Sequence, residues 1–157
     1  MCNQCLLALH GVQCTTEGVK HGVGVVAHRH FKPGDRILLI DGAHGVEYIE
    51  DAIDRGWEEG NEWTWVSPDA HVVDQSQAHT SSPARYVNIG TPSEINCVVD
   101  FEEDLATKLV CRMWMVCSKD IAPGEEVLTT YGRARDKHIL QSTGASPHGP
   151  TPPTTEE

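Results

Sequence analysis

No apolar run in the chain approaches the length of about eighteen residues that a membrane-spanning helix needs. The segment Met1 to Cys5 also lacks the basic start of a secretory signal. The expectation is a soluble, intracellular protein with no membrane partner. Basic residues are scarce: 12 Lys plus Arg stand against 23 Asp plus Glu, a net charge of -11. Such a surface repels a phosphate backbone, which argues against direct nucleic-acid binding, and it is compatible with a basic, Lys-bearing peptide. An acidic surface is more often a matter of plain solubility. Cysteine is sparse as well, with six residues at 2, 5, 14, 97, 111 and 117, which is no disulfide scaffold. Cys2 and Cys5 form a C-x-x-C pair that, with His10 and Cys14, could supply four zinc ligands, although the second pair is loosely spaced. Free or buried thiols are the simpler reading.

Several signatures are missing. Gly22-Val23-Gly24 lacks the later glycine of a dinucleotide loop, and there is no Walker loop, G-x-S-x-G, H-E-x-x-H or calcium loop. His28 and His30 share one side of an extended segment, but no acid or Cys stands at a matching spacing to complete a metal site. From Gln141 to Glu157 there is no aromatic residue and no aliphatic one beyond Ala145, so a disordered tail is expected over 141–157. The remaining 140 or so residues suit a single domain.

Within that body the apolar signals are short and rich in Val, Ile and Leu. They run over Gly22 to Ala27, Arg36 to Ile40, Ala70 to Val73, Asn96 to Phe101, Leu109 to Val116 and Glu126 to Thr130, and they read as strands. Lys32 to Asp35 and Ala122 to Glu125 are Pro-Gly turns, with Pro where φ is preset and Gly where φ must be positive. One short amphipathic helix is expected over Gly45 to Arg55, with Val46, Ile49 and Ile53 on one face and Glu47, Glu50, Asp51 and Asp54 on a solvated one. Trp57 to Trp65 holds three of four tryptophans among acids, as a partner surface or as a lid packed on the core. The fold class is mostly β with few helices.

The chemistry gathers in a C-terminal series: His71 to Asp74, then Pro83 to Gly90 reading P-A-R-Y-V-N-I-G, then Asn96-Cys97, and finally Lys119 to Gly132 ending in P-G-E-E-V-L-T-T-Y-G. In this order the segments resemble the SET-domain protein lysine methyltransferases, which carry an aliphatic pair ending in Asp, an A-R-F-I-N-H-S-C run, a P-N-C, and I-x-x-G-E-E-L-x-x-D-Y-G. Glu17 to Leu39 looks like the family's opening. The likeness spans Gln13 to Gly132, and its closing motif is the most specific part.

That resemblance implies small β-sheets with a pseudoknot, in which the Asn88 segment passes beneath a loop near Tyr131, plus a short helical insert at about 45–70. The domain would run over 13–140 behind an N-terminal extension, 1–12. It implies S-adenosyl-L-methionine as cofactor, held by the backbone of His21, Gly22, Val23 and Gly24 and by Arg85, Asn88 and Ile89. Tyr131 would sit where methyl donor and lysine meet, as the catalytic residue. The substrate implied is lysine in a basic protein, with a histone tail the commonest in the family. A catalytically weak or inactive SET-like interaction module is the alternative reading.

Three departures qualify the likeness. Ile89 replaces the family's His, Thr129 stands where an aromatic residue limits methylation, and Thr91 replaces a Cys that helps to bind zinc in many members. No cysteine follows Cys117, so the metal and its cysteine-rich flank are absent together. The lysine channel is then left to be covered by Arg133 to Leu140 or by a second copy in a homodimer.

Overall fold

A computed structural model describes residues 2–59 and 63–130. Tyr131, Arg133 to Leu140 and the tail expected over 141–157 lie outside the described residues. Among the described residues no helix is long and apolar enough to cross a membrane.

The segment expected as an N-terminal extension builds part of the core. Helix α1 (Asn3–His10) buries Leu6 and ends at Gly11, whose φ of 68° lets its N–H return to Leu7 O. Strand β1 (Val12–Thr15) follows and pairs antiparallel with β2 (Gly24–Ala27). The Asn3 side chain fixes α1 to β1 twice, donating to Cys14 O and accepting from Cys14 N.

Strand β3 (Arg36–Ile40) pairs with β9 (Val110–Cys117), which in turn pairs with β8 (Cys97–Glu103). Ile37, Leu38, Ile40, Met113, Met115, Val25 and Phe31 fill the main core between this sheet and β2. Each such side chain contributes about 1.5–3 kcal/mol by leaving water. Both Pro-Gly turns form as expected, with φ of 94° at Gly34 and 89° at Gly124. Next to them, Phe31 and Ile121 exchange backbone hydrogen bonds of 3.0 Å in each direction.

The insert departs from the single helix expected over 45–55. Its first residues instead form strand β4 (Glu47–Tyr48), and only Ile49–Asp54 are helical, as α2. Strand β6 (His71–Asp74) accepts β4 on one edge and β5 (Thr64–Val66) on the other. The backbone pairing of Glu47 with Val72 overrides the helical periodicity there. Ala52, not Ile53, faces inward against Trp57 and Val72, and Ile53 is exposed. Glu47 is also not solvated: Arg55 donates to it and, at 3.3 Å, to Asp74 Oδ2. Trp57 and Trp65 are buried, which favours the lid reading for those two rings.

A 3-10 turn (Pro83–Tyr86) leads into the two-residue strand β7 (Asn88–Ile89), which pairs parallel with β10 (Leu128–Thr129). Just before β10, Val127 N donates to Val25 O and Ala27 N to Glu125 O. The chain over 124–129 therefore lies against β2 first and β7 next, which brings the first, middle and last parts of the sequence together.

Candidate functional site

At that meeting point stands Asn88. Its Nδ2 donates to His21 O at 2.8 Å and approaches Val23 O at 3.4 Å, so one carboxamide grips the backbone on both sides of Gly22. The same Nδ2 lies 2.8 Å from Glu126 Oε1. The other carboxylate oxygen of Glu126 accepts the Lys20 backbone N–H at 2.7 Å. Half burial pushes the Glu126 carboxyl above its usual range, against the pull of Asn88 and of Lys20. No described group donates to Asn88 Oδ1, so the amide keeps an acceptor for a ligand.

The two glycines serve different needs. A Cβ on Gly24 would lie 2.4 Å from Glu126 Oε1 and 2.7 Å from Val19 Cγ1, so only glycine fits there. A Cβ on Gly22 would meet nothing within 4 Å, at a φ of 49°. Gly22 thus exposes bare backbone to open space beside Asn88.

Asn96 locks the closing segment. Its Nδ2 donates to Glu126 O at 2.9 Å, its Oδ1 accepts Leu128 N–H at 2.9 Å, and its own N–H reaches Leu128 O at 3.1 Å. Gly90 N adds a bond to Thr129 O at 3.0 Å. Lys20 Nζ pairs with Glu94, and that ammonium holds the Glu94 carboxyl down to about 2. Thr129 is fully buried and its Oγ1 has no partner among the described residues, an orphan hydroxyl two positions before the closing motif's tyrosine in the sequence.

The structure thus brings together His21, Gly22, Val23, Gly24, Asn88 and Ile89. Ile89 is buried in its β-pair, so the side chain that replaces the family's imidazole is packed and not open to solvent. Arg85 is differently engaged: its Nε donates to Gln75 O at 3.0 Å and its guanidinium stacks over Trp63 at 4.1 Å. Tyr131 lies outside the described residues. Glu126 and Lys20 are contributors that residue-type reasoning did not single out, whereas Asn96 stood in the series that carries the resemblance. The signal for Glu126 was an acid at the head of a strand run.

Among the described residues no three His, Cys, Asp or Glu side chains gather as a metal site, so the cluster of Cys2, Cys5, His10 and Cys14 does not form. His28 and His30 likewise gain no third ligand. Ser67, Asp69 and His71 do meet, but Ser67 Oγ donates to Asp69 and accepts the His71 backbone N–H. His71 Nδ1 lies 3.0 Å from Asp69 Oδ1 without a directed hydrogen bond. A hydroxyl donating to a carboxylate is not activated by the imidazole, so this is no nucleophile triad.

A cleft of about 500 Å³ opens between Trp57, Glu58 and Glu59 after α2 and Asp74, Ser76 and Gln77 at and after the end of β6. Glu58 and Glu59 are exposed there, which gives the cleft an acidic wall.

The sequence profile of the SET domain matches residues 22–132. The chain belongs to the SET-domain family. Solved structures agree on the fold. A complex of ATXR5 with mono-methylated histone H3.1 superposes with a TM-score of 0.56 at 17% identity, over 77% of this chain and 56% of that one. The methyltransferase domain of human PR domain-containing protein 2 gives 0.55 at 19% identity, over 83% and 84%. The ATXR5 SET domain with dimethylated histone H3 gives 0.56 at 18% identity, over 77% and 57%. The SET-domain chain thus spans little more than half of the ATXR5 chains. No match was found among the curated proteins.

Proposed function

We propose that this SET-domain chain is an S-adenosyl-L-methionine-dependent protein-lysine methyltransferase acting on a basic peptide, with a histone tail the first candidate. The observation that carries the reading is the grip of Asn88 on the His21 and Val23 carbonyls. It leaves an amide oxygen and the open face of Gly22 at one spot, next to a half-buried carboxylate. A cationic, amino-bearing cofactor fits that donor and acceptor set: Asn88 Oδ1 would accept from its ammonium, and the backbone of His21 to Gly24 and the Ile89 segment would hold it. Glu126 favours positive charge nearby. Arg85, bonded to Gln75 O and stacked over Trp63, braces the turn that delivers Asn88.

Bound there, S-adenosyl-L-methionine supplies an electrophilic methyl group. The chain's own work is to deliver a neutral amine in line with it. A free lysine has a pKa near 10.4, and an ammonium has no lone pair, so an apolar channel that disfavours the charged form is needed. Tyr131 is assigned to orient the amine, and alignment of this kind supplies several kcal/mol. The acidic wall at Glu58 and Glu59 attracts a basic peptide, and two of the structural neighbours are complexes with histone H3.

Titration of the purified chain with S-adenosyl-L-methionine and methyl transfer to mixed histones test the reading. Binding heat that Asn88→Ala abolishes, with transfer that Tyr131→Phe abolishes, supports it. Binding without transfer to any lysine peptide would identify an interaction module, and no binding would remove the cofactor assignment.

A further inference from the structure

Cys2 and Cys5 are the one C-x-x-C pair in the chain, and the function proposed above does not use them. They stand at the start of α1, Cys2 as the residue that caps the helix and Cys5 one turn on, and both are exposed. Their sulfurs are 3.2 Å apart, with Cys2 Sγ directed at Cys5 Sγ. A disulfide needs about 2.05 Å, so a sulfur movement of about 1 Å closes the bond without unfolding the helix. The remaining thiols are placed otherwise. Cys97 and Cys117 are buried in the β8–β9 pair, and burial pushes Cys97 up to about 12. Cys14 is half-buried within β1, and Cys111 is exposed alone, against Glu102 O.

We infer that Cys2 and Cys5 form a thiol–disulfide exchange site, with Cys2 as the attacking thiol and Cys5 as the resolving one, taking a low-molecular-weight disulfide as its co-substrate. The two residues are chemically unequal. The backbone N–H of Cys5 at the start of the helix favours the Cys2 thiolate and pulls Cys2 below the usual thiol range, whereas the Cys2 sulfur pushes Cys5 above it. In the first step the Cys2 thiolate attacks one sulfur of the disulfide. The S–S bond breaks, a thiolate leaves, and a mixed disulfide forms on Cys2. In the second step Cys5 loses its proton to water and attacks Cys2 Sγ, releasing the second thiolate. The two protein thiols have then lost two electrons and two protons, and the small disulfide has become two thiols.

The site is also mechanically connected to the rest of the fold. Asn3, between the two cysteines, holds Cys14 in β1 through two hydrogen bonds, and β1 pairs with β2, whose Gly24 adjoins Glu126. Leu6, one residue past Cys5, is anchored in the core, so the first turn of α1 is held ready for closure.

The test uses the full chain in graded mixtures of oxidised and reduced glutathione, quenched by alkylation and mapped by mass spectrometry after trypsin. The peptide from Met1 to Lys20 is expected to lose two hydrogens while Cys14 stays alkylated. Cys5→Ser should halt at glutathione on Cys2, and Cys2→Ser should take up glutathione on Cys5 at least about tenfold more slowly near neutral pH. Glutathione persisting on Cys2 in the wild-type chain would overturn the proposal. So would a bridge to Cys14 or between chains, or thiols protected from alkylation until a chelator is added. Equal reactivity of Cys2 and Cys5 would also overturn it, by removing the assigned roles.

Discussion

Asn88 Nδ2 and Glu126 Oε1 lie 2.8 Å apart across 38 positions of sequence, and that contact closes the cradle around Gly22. Replacing Asn88 with Ala leaves the half-buried Glu126 carboxylate with the Lys20 N–H and frees the His21 and Val23 carbonyls. The expected loss is about 1–3 kcal/mol. It should be read as a lower urea midpoint at an unchanged slope, together with loss of S-adenosyl-L-methionine heat. An unaltered midpoint would mean that the clasp is not made in solution.

Gly22→Ala and Gly24→Ala should separate ligand contact from packing. At position 22 the added methyl meets no protein atom, so the fold loses only the left-handed strain, about 1–2 kcal/mol, whereas cofactor affinity falls on the order of tenfold. At position 24 it strikes Glu126 and Val19, and overpacking costs about 1–3 kcal/mol. Calorimetric titration beside thermal denaturation reads both. Equal affinities for Gly22→Ala and wild type would move the cofactor away from this loop.

The backbone turns and most strands could be read from the residues because each needs only local information. Ile37 to Ile40 is a continuous apolar run and β3 forms over Arg36–Ile40 as expected, and Pro33-Gly34 sets its own dihedrals. The clasp could be placed only through the family likeness, since nothing near Asn88 in sequence indicates that its partners are His21 and Glu126. The insert was misread for a related reason: Val46 and Ile49 have helical spacing, but the β6 edge captured Glu47 and Tyr48. Leu6 carries no local sign that it will be covered, and α1 was missed with it.

Two carboxyls should give opposite pH signatures. Lys20 holds Glu94 down to about 2 from 4.5, so its contribution is complete above pH 4.5 and is lost as the pH falls toward 2. Burial raises Glu126 above 4.5, so its contribution is complete below 4.5 and is lost as the pH rises through the raised value. Urea midpoints against pH should fall less steeply on the acid side in Glu94→Gln, the remainder being carried by Asp69, Asp74, Glu102 and Asp104, which are also held low. In Glu126→Gln they should lose the decline that follows on the higher-pH side. The reverse assignment of the two limbs would contradict the electrostatics described here.

Thr129→Val should stabilise the free protein by about 1 kcal/mol, because it removes a buried hydroxyl with no partner among the described residues. Should a ligand bond that hydroxyl, the same variant binds it more weakly. Denaturation with and without S-adenosyl-L-methionine checks both. A destabilised apo variant would show that the hydroxyl already has a partner.

The parallel pair of β7 and β10 is only two residues long, yet it joins chain positions 40 apart, Asn88 with Leu128. A pairing so short and so distant gains little until the loop between is already shaped, so it is among the last steps of folding. It is also the first to open. The amide of Gly90, which donates to Thr129 O, should therefore exchange with solvent through partial openings that leave β3, β8 and β9 intact, and a ligand bridging the two strands would slow that exchange first.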